Sequence, residues 1–185
     1  KRMNTTQRKA LIATVLLVAA TGAWLVWGYR SQHPAGQEAR PGDPVQATRQ
    51  LWAQQLRDVK GIEQPLKQWQ GKLLVVNLWA TWCAPCRAEM PAFSRLQDKY
   101  AAKGVQFVGI TLDSPTRVEE YAAQTPTRYP LLIGSHTLIP VFAGLGNVAG
   151  SVPFTVILGR DGQVIRAHQG YWKEAALDAI LSELN

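Results

Sequence analysis

The chain contains two cysteines, and both fall within Trp82-Cys83-Ala84-Pro85-Cys86. Two thiols separated by two residues can cycle between dithiol and disulfide, share a metal ion or carry a haem. What surrounds them decides among these chemistries. Leu73 to Trp79, just before the pair, is an unbroken apolar run apart from Asn77 and predicts a buried strand. Cys86 to Lys103, just after it, places Met90, Phe93, Leu96 and Tyr100 at helical spacing and ends at Gly104, the pattern of a helix with a glycine C-cap. Cys83 therefore stands at a helix N-terminus, where unpaired backbone N–H groups and the helix dipole favour a thiolate. Cys86 lies one turn inside and is shielded. An exposed thiolate that attacks, next to a thiol that resolves the mixed disulfide, is what thiol–disulfide exchange needs.

The other uses of the pair fit less well. A zinc site wants two more ligands at suitable spacing, but there is no second Cys pair, and the three histidines lie far apart at positions 33, 136 and 168. Haem attachment requires His directly after the second Cys, and that residue is Arg87. A purely structural bridge across so short a loop removes little chain entropy from the unfolded state.

The elements that must position the pair can be read from the rest of the chain. Val105 to Leu112 and Tyr129 to Ile133 predict two further strands, with a helix from Ser114-Pro115 to about Gln124 between them. Phe154–Leu158 and Gln163–His168 flank Gly159-Arg160-Asp161-Gly162, a hairpin signal. A last helix, from about Lys173 to Leu184, is expected to bury Ala176, Leu177, Ile180, Leu181 and Leu184. Strands alternating with helices, then a hairpin and a helix, imply an α/β fold with a central mixed sheet flanked by helices.

Ahead of this domain the composition is different. The 185-residue chain has a formal charge of +7, which read alone suggests a nucleic-acid or membrane partner. Lys1, Arg2, Arg8, Lys9 and Arg30 account for five of the 20 basic residues, and no acid occurs before position 31. The remainder is close to neutral, so nucleic acid is not expected as a partner. Ala10 to Trp27 is an apolar run of 18 residues, interrupted only by Thr14, Thr21 and Gly22. Such a run with its flanks matches a bilayer core of roughly 30 Å. Thr21-Gly22-Ala23 would also serve as a signal-peptide cleavage site, but Trp24, Leu25, Val26, Trp27 and Tyr29 prolong the run and end it in aromatics. The expected organisation is a cytoplasmic basic segment at 1–9, a transmembrane anchor or signal peptide at 10–29, a Pro- and Gly-rich linker at 30–49 and the folded domain at 50–185.

The stretch VVNLWATWCAPC, with Glu89 and Pro91 after it, resembles the thioredoxin superfamily. It is most similar to the membrane-anchored TlpA/ResA-like thiol-disulfide oxidoreductases, a group that includes the CcmG/DsbE proteins. The resemblance covers about residues 50–185 and implies a thioredoxin-like fold preceded by one N-terminal transmembrane helix. It implies Cys83 as the attacking and Cys86 as the resolving thiol, with no cofactor and no metal. It also implies a cis-proline at Pro153 facing the pair, the backbone of Val152 turned outward to pair with a client strand, and Pro91 as a break in the active-site helix. Trp79 and Trp82 are expected to form a hydrophobic collar, with Trp82 touching the client.

Asn77 departs from the cytoplasmic thioredoxins, whose buried Asp at this strand position moves protons for the resolving Cys. An amide cannot do so. Glu89, an acid near the pair in the ResA-like proteins, is expected to take over, with partial desolvation raising its pKa. The bland alternative is a solvated helix glutamate or one paired with Arg87 or with neighbours on the Lys99 side. The implied activity is reduction of client disulfides outside the bacterial cytoplasmic membrane, for cytochrome c maturation or metal-site assembly, with a DsbD- or CcdA-type membrane protein as electron donor. A DsbA-like oxidase uses the same motif. A Sco-like copper-binding assembly protein and a thiol peroxidase are the alternatives from other classes; the first would bind copper through His168, the second would form a Cys83 sulfenate.

Overall fold

The computed structural model describes residues 43–185. The basic segment 1–9, the anchor 10–29 and most of the linker lie outside the described residues. Among the described residues, no helix is long and apolar enough to cross a membrane.

The first described element corrects the expected linker. Helix α1 (Pro44–Trp52) begins inside the stretch 30–49, capped by Asp43, whose Oδ1 accepts from the N–H groups of Val45 and Gln46. Aspartate at the N-cap followed by proline is a helix start, and Ala47, Thr48, Leu51 and Trp52 are buried. A hairpin of β1 (Gln55–Asp58) and β2 (Glu63–Pro65) follows, then a single 3-10 turn at Leu66–Trp69. This hairpin was not expected from the sequence. Strand β3 (Leu73–Trp79), helix α2 (Ala84–Tyr100) and strand β4 (Val105–Thr111) come next. They are followed by α3 (Pro115–Gln124), β5 (Leu131–Ile133) and a short α4 (Ile139–Gly144). The hairpin β6 (Phe154–Leu158) and β7 (Val164–Gln169) and helix α5 (Glu174–Glu183) complete the chain.

The seven strands form one mixed sheet in the order β2-β1-β5-β4-β3-β6-β7. β3 is central, parallel to β4 and antiparallel to β6. Its alternation divides the interior in two. Leu74, Val76 and Leu78 face a core shared with Leu51 and Trp52 of α1 and Phe142 of α4. Leu73, Val75 and Trp79 face the opposite core, with Met90, Phe93 and Leu96 of α2, Val118 of α3 and Leu177 and Leu181 of α5. Helices thus cover both faces. Asn77, by the same alternation, points toward α2, so its buried amide needs polar partners there.

On α5, Leu177 and Leu181 are buried, but Ala176 is exposed, contrary to the expected face. The helix is fixed against α2 by Arg95–Glu174 at 2.6 Å and Lys99–Asp178 at 2.7 Å, and by Tyr100, whose hydroxyl donates to Asp178 Oδ1 at 2.8 Å.

Candidate active site

The site forms where β3 runs into α2. Cys83 is the N-cap residue, with extended backbone, and Pro85 occupies the first turn, where a missing N–H costs nothing. Cys83 Sγ accepts from the Cys86 N–H at 3.3 Å, and the two sulfurs are joined in a disulfide with Cα atoms 5.3 Å apart. The loop before them is held from β4's end, where Asp113 Oδ2 accepts from the Thr81 N–H at 2.6 Å. Cys86 is fully enclosed, as expected. Cys83 is not openly exposed as the sequence suggested: in the disulfide it keeps 4% of its surface.

Glu89, on α2 one turn beyond Cys86, is fully buried. Its Oε1 accepts from Asn77 Nδ2 at 3.0 Å, and its Oε2 accepts from the backbone N–H of Trp172 at 2.9 Å. Asn77 Nδ2 also donates to Thr155 Oγ1 at 3.0 Å, across the β3–β6 register that pairs the two residues. Burial raises the Glu89 carboxyl to about 7, against the smaller opposing effects of the Trp172 and Asn77 hydrogen bonds. The solvated or Arg87-paired alternative does not occur. Burial likewise pushes the Tyr129 hydroxyl up, with the Glu89 charge adding to it.

Two parts of this clamp went unrecognised in the sequence. Thr155 carries a readable signal: it is a polar residue within an apolar strand, where a buried hydroxyl wants a partner. Trp172 contributes a main-chain N–H, which residue type does not encode. Its placement depends on Gly170, whose φ of +90° turns the chain out of β7.

The Val152–Pro153 peptide bond is cis and leads directly into β6. The Pro153 carbonyl is taken by the Gly170 N–H and Gln169 Nε2, both at 2.8 Å. Val152 packs against both cores, and among the described residues nothing hydrogen-bonds its N–H or C=O. The two tryptophans of the expected collar separate. Trp79 is buried against Tyr121 with ring centroids 5.1 Å apart, whereas Trp82 is 69% exposed. Beside Trp82 opens a cleft of about 620 Å³, lined by Ile139, Phe142, Val152, Asp113 and His136 among others. Pro91 lies inside α2, which continues through it to Tyr100, so the expected break amounts to the one ladder bond that its missing N–H cannot make.

No group of three or more His, Cys, Asp or Glu that could hold a metal ion is found among the described residues. His168 is stacked on Trp172, and His136 lies in the cleft wall.

The chain matches the family model described as the AhpC/TSA family over residues 47–177. It is 30% identical over 128 residues to the thiol-disulfide oxidoreductase ResA of one strain of Bacillus cereus, covering 69% of this chain and 72% of that protein. It is 26% identical over 175 residues to ResA of a second Bacillus cereus strain, covering 94% of each. Among solved structures, a thiol:disulfide interchange protein of the thioredoxin family from Chlorobium tepidum TLS superposes with a TM-score of 0.66 at 27% identity, over 80% of this chain and 98% of that one.

Proposed function

The chain belongs to the AhpC/TSA family and is a thiol-disulfide oxidoreductase of the ResA type, and from that premise we propose that it is a membrane-anchored reductase of client disulfides in the periplasm. The observation that carries this reading is the fully buried Glu89, one turn along α2 from Cys86 and tuned to about 7. A carboxyl held near neutral pH is matched to proton transfer in a way that an ordinary surface glutamate is not.

In the reduced protein, the Cys83 thiolate attacks one sulfur of a client disulfide. The client S–S bond breaks, one client thiolate leaves, and a mixed disulfide joins Cys83 to the client. Glu89 accepts the proton of the Cys86 thiol. The Cys86 thiolate then attacks Cys83 Sγ, the second client thiolate leaves, and the Cys83–Cys86 disulfide forms. Two electrons have passed to the client, and no cofactor takes part. The Asn77 amide suits both states of Glu89: Nδ2 donates to the carboxylate, and after a half-turn Oδ1 accepts from the carboxylic acid.

Val152 offers its free N–H and C=O to an extended client segment, while the exposed Trp82 and the cleft beside it receive client side chains. The apolar run Ala10–Trp27 behind a basic N-terminus supports a single-pass anchor with the N-terminus in the cytoplasm. In an oxidising compartment the spent disulfide must be reduced again, so a DsbD- or CcdA-type membrane protein is the fitting electron donor. Clients of cytochrome c maturation or metal-site assembly, whose cysteines must be reduced before they bind, fit the activity.

The direction of electron flow is tested by acid-quenching intact cells and alkylating free thiols. A reductase shows Cys83 and Cys86 largely reduced while the donor is present and oxidised when it is removed. A pair that is fully oxidised in growing cells, donor present, contradicts the proposal.

A further inference from the structure

The peptide unit joining Tyr171 to Trp172 is engaged at both ends. Its N–H donates to Glu89 Oε2 at 2.9 Å, and its carbonyl lies 3.3 Å from His168 Nε2. A carbonyl oxygen can only accept, so His168 is the donor and Nε2 carries the proton. The same imidazole is stacked on the Trp172 indole, with centroids 4.5 Å apart and planes inclined by 26°. His168 therefore grips the Tyr171–Trp172 unit twice, through the backbone and through the ring. Its strand position adds a further link. On β7 it pairs with Thr155 of β6, the residue whose hydroxyl accepts from Asn77. Both hydrogen bonds that hold Glu89 thus trace back to one rung of the β6–β7 hairpin.

We infer that His168 is a positioning residue for Glu89, acting through the Tyr171–Trp172 peptide: it aims the Trp172 N–H at Oε2 and polarises it. Hydrogen bonds in series strengthen one another by roughly 10–30% per bond, and the Trp172–Glu89 bond at the inner end is buried, whereas the His168–Tyr171 bond lies at the surface. Withdrawing electron density at the Tyr171 carbonyl makes the Trp172 N–H a stronger donor, which favours the charged carboxylate. On the Glu89 side the ionisable group around this chain of bonds is Tyr129, since Cys86 is held in the disulfide and does not titrate. On the His168 side they are Arg166, two residues back on the same face of β7, then Tyr171 and Lys173, with Arg95 of α2 near Tyr171.

The inference concerns how Glu89 is held, and it rests on the proposed proton transfer only for its consequence in turnover. The test is a carbon-13 NMR titration of the Glu89 carboxyl in the oxidised full-length chain, with the signal assigned by Glu89→Gln. His168→Phe keeps a ring against Trp172 but has no donor; His168→Gln keeps a donor but loses the ring. The expected result is a Glu89 midpoint raised by about 0.3–0.5 pH unit in His168→Phe and largely restored in His168→Gln. An unchanged midpoint in His168→Phe overturns the inference, as does an equal rise in both variants, which would make the effect one of packing. If Glu89→Gln reduces clients at the wild-type rate while His168→Phe still moves the midpoint, the proton-transfer role of Glu89 fails and the positioning role stands.

Discussion

Burial of Glu89 makes the stability of the oxidised protein depend on pH with a sign opposite to that of most carboxylates. The folded carboxyl is raised from 4.5 to about 7. Between those values the native state holds a proton that the unfolded chain has released, so stability is complete below the unfolded value and is lost as pH rises through the folded one. A shift of this size corresponds to about 3 kcal/mol lost between pH 4.5 and 8, or roughly 10 °C in Tm for a domain of this size. Asp58, Glu174 and Asp178 are lowered instead. Their contributions are present above the ordinary carboxylate range and disappear as pH falls, so they do not enter the window. The perturbation is Glu89→Gln, which keeps the shape and an acceptor oxygen but cannot ionise. Urea denaturation of both oxidised proteins at half-unit intervals from pH 4.5 to 8 gives the comparison, and anything else that titrates there cancels in the difference. The wild type should fall relative to the variant by about 3 kcal/mol. Parallel curves, or a wild type that gains on the variant as pH rises, would refute the reasoning from burial.

Two further substitutions probe the surroundings. Asn77→Asp puts a second carboxyl 3.0 Å from Glu89 Oε1; the two cannot both ionise cheaply, so the pair should retain one proton well above neutral pH, and the pH profile of client reduction should move upward with loss of stability at alkaline pH. Trp82→Ala should leave Tm nearly unchanged, because the ring is 69% exposed, while lowering kcat/KM for a protein client by about tenfold and leaving reduction of a small disulfide such as oxidised glutathione unaffected.

The frame of the site was legible in the sequence because local patterns encode it. The strand-to-helix passage at Trp79–Ala84, the Gly104 cap and the turn before β7 each depend on neighbours within a few residues. What stayed hidden depends on distant partners. β1 and β2 are short and mostly exposed, with Leu56 as their buried apolar residue, so no periodicity reveals them. The Pro44 helix start was masked by the proline-rich stretch leading into it, Pro41 being the last proline before it. The Trp172 N–H reaches Glu89 across 83 positions of sequence, and no residue type marks a backbone donor. The resemblance to the ResA-like proteins did put Glu89 near the pair, in place of the buried Asp that Asn77 replaces; its hydrogen bond to Asn77 and the extent of its burial needed the packed helices.

The central claim is that Cys83 attacks the client and Cys86 releases it, and the most direct measurement is mass spectrometry of disulfide-linked adducts from cells expressing single-cysteine variants. With Cys86→Ala, the account predicts mixed disulfides through Cys83 that dithiothreitol dissolves; with Cys83→Ala it predicts none. Adducts that form through Cys86 alone, or no adducts in either variant, would contradict it.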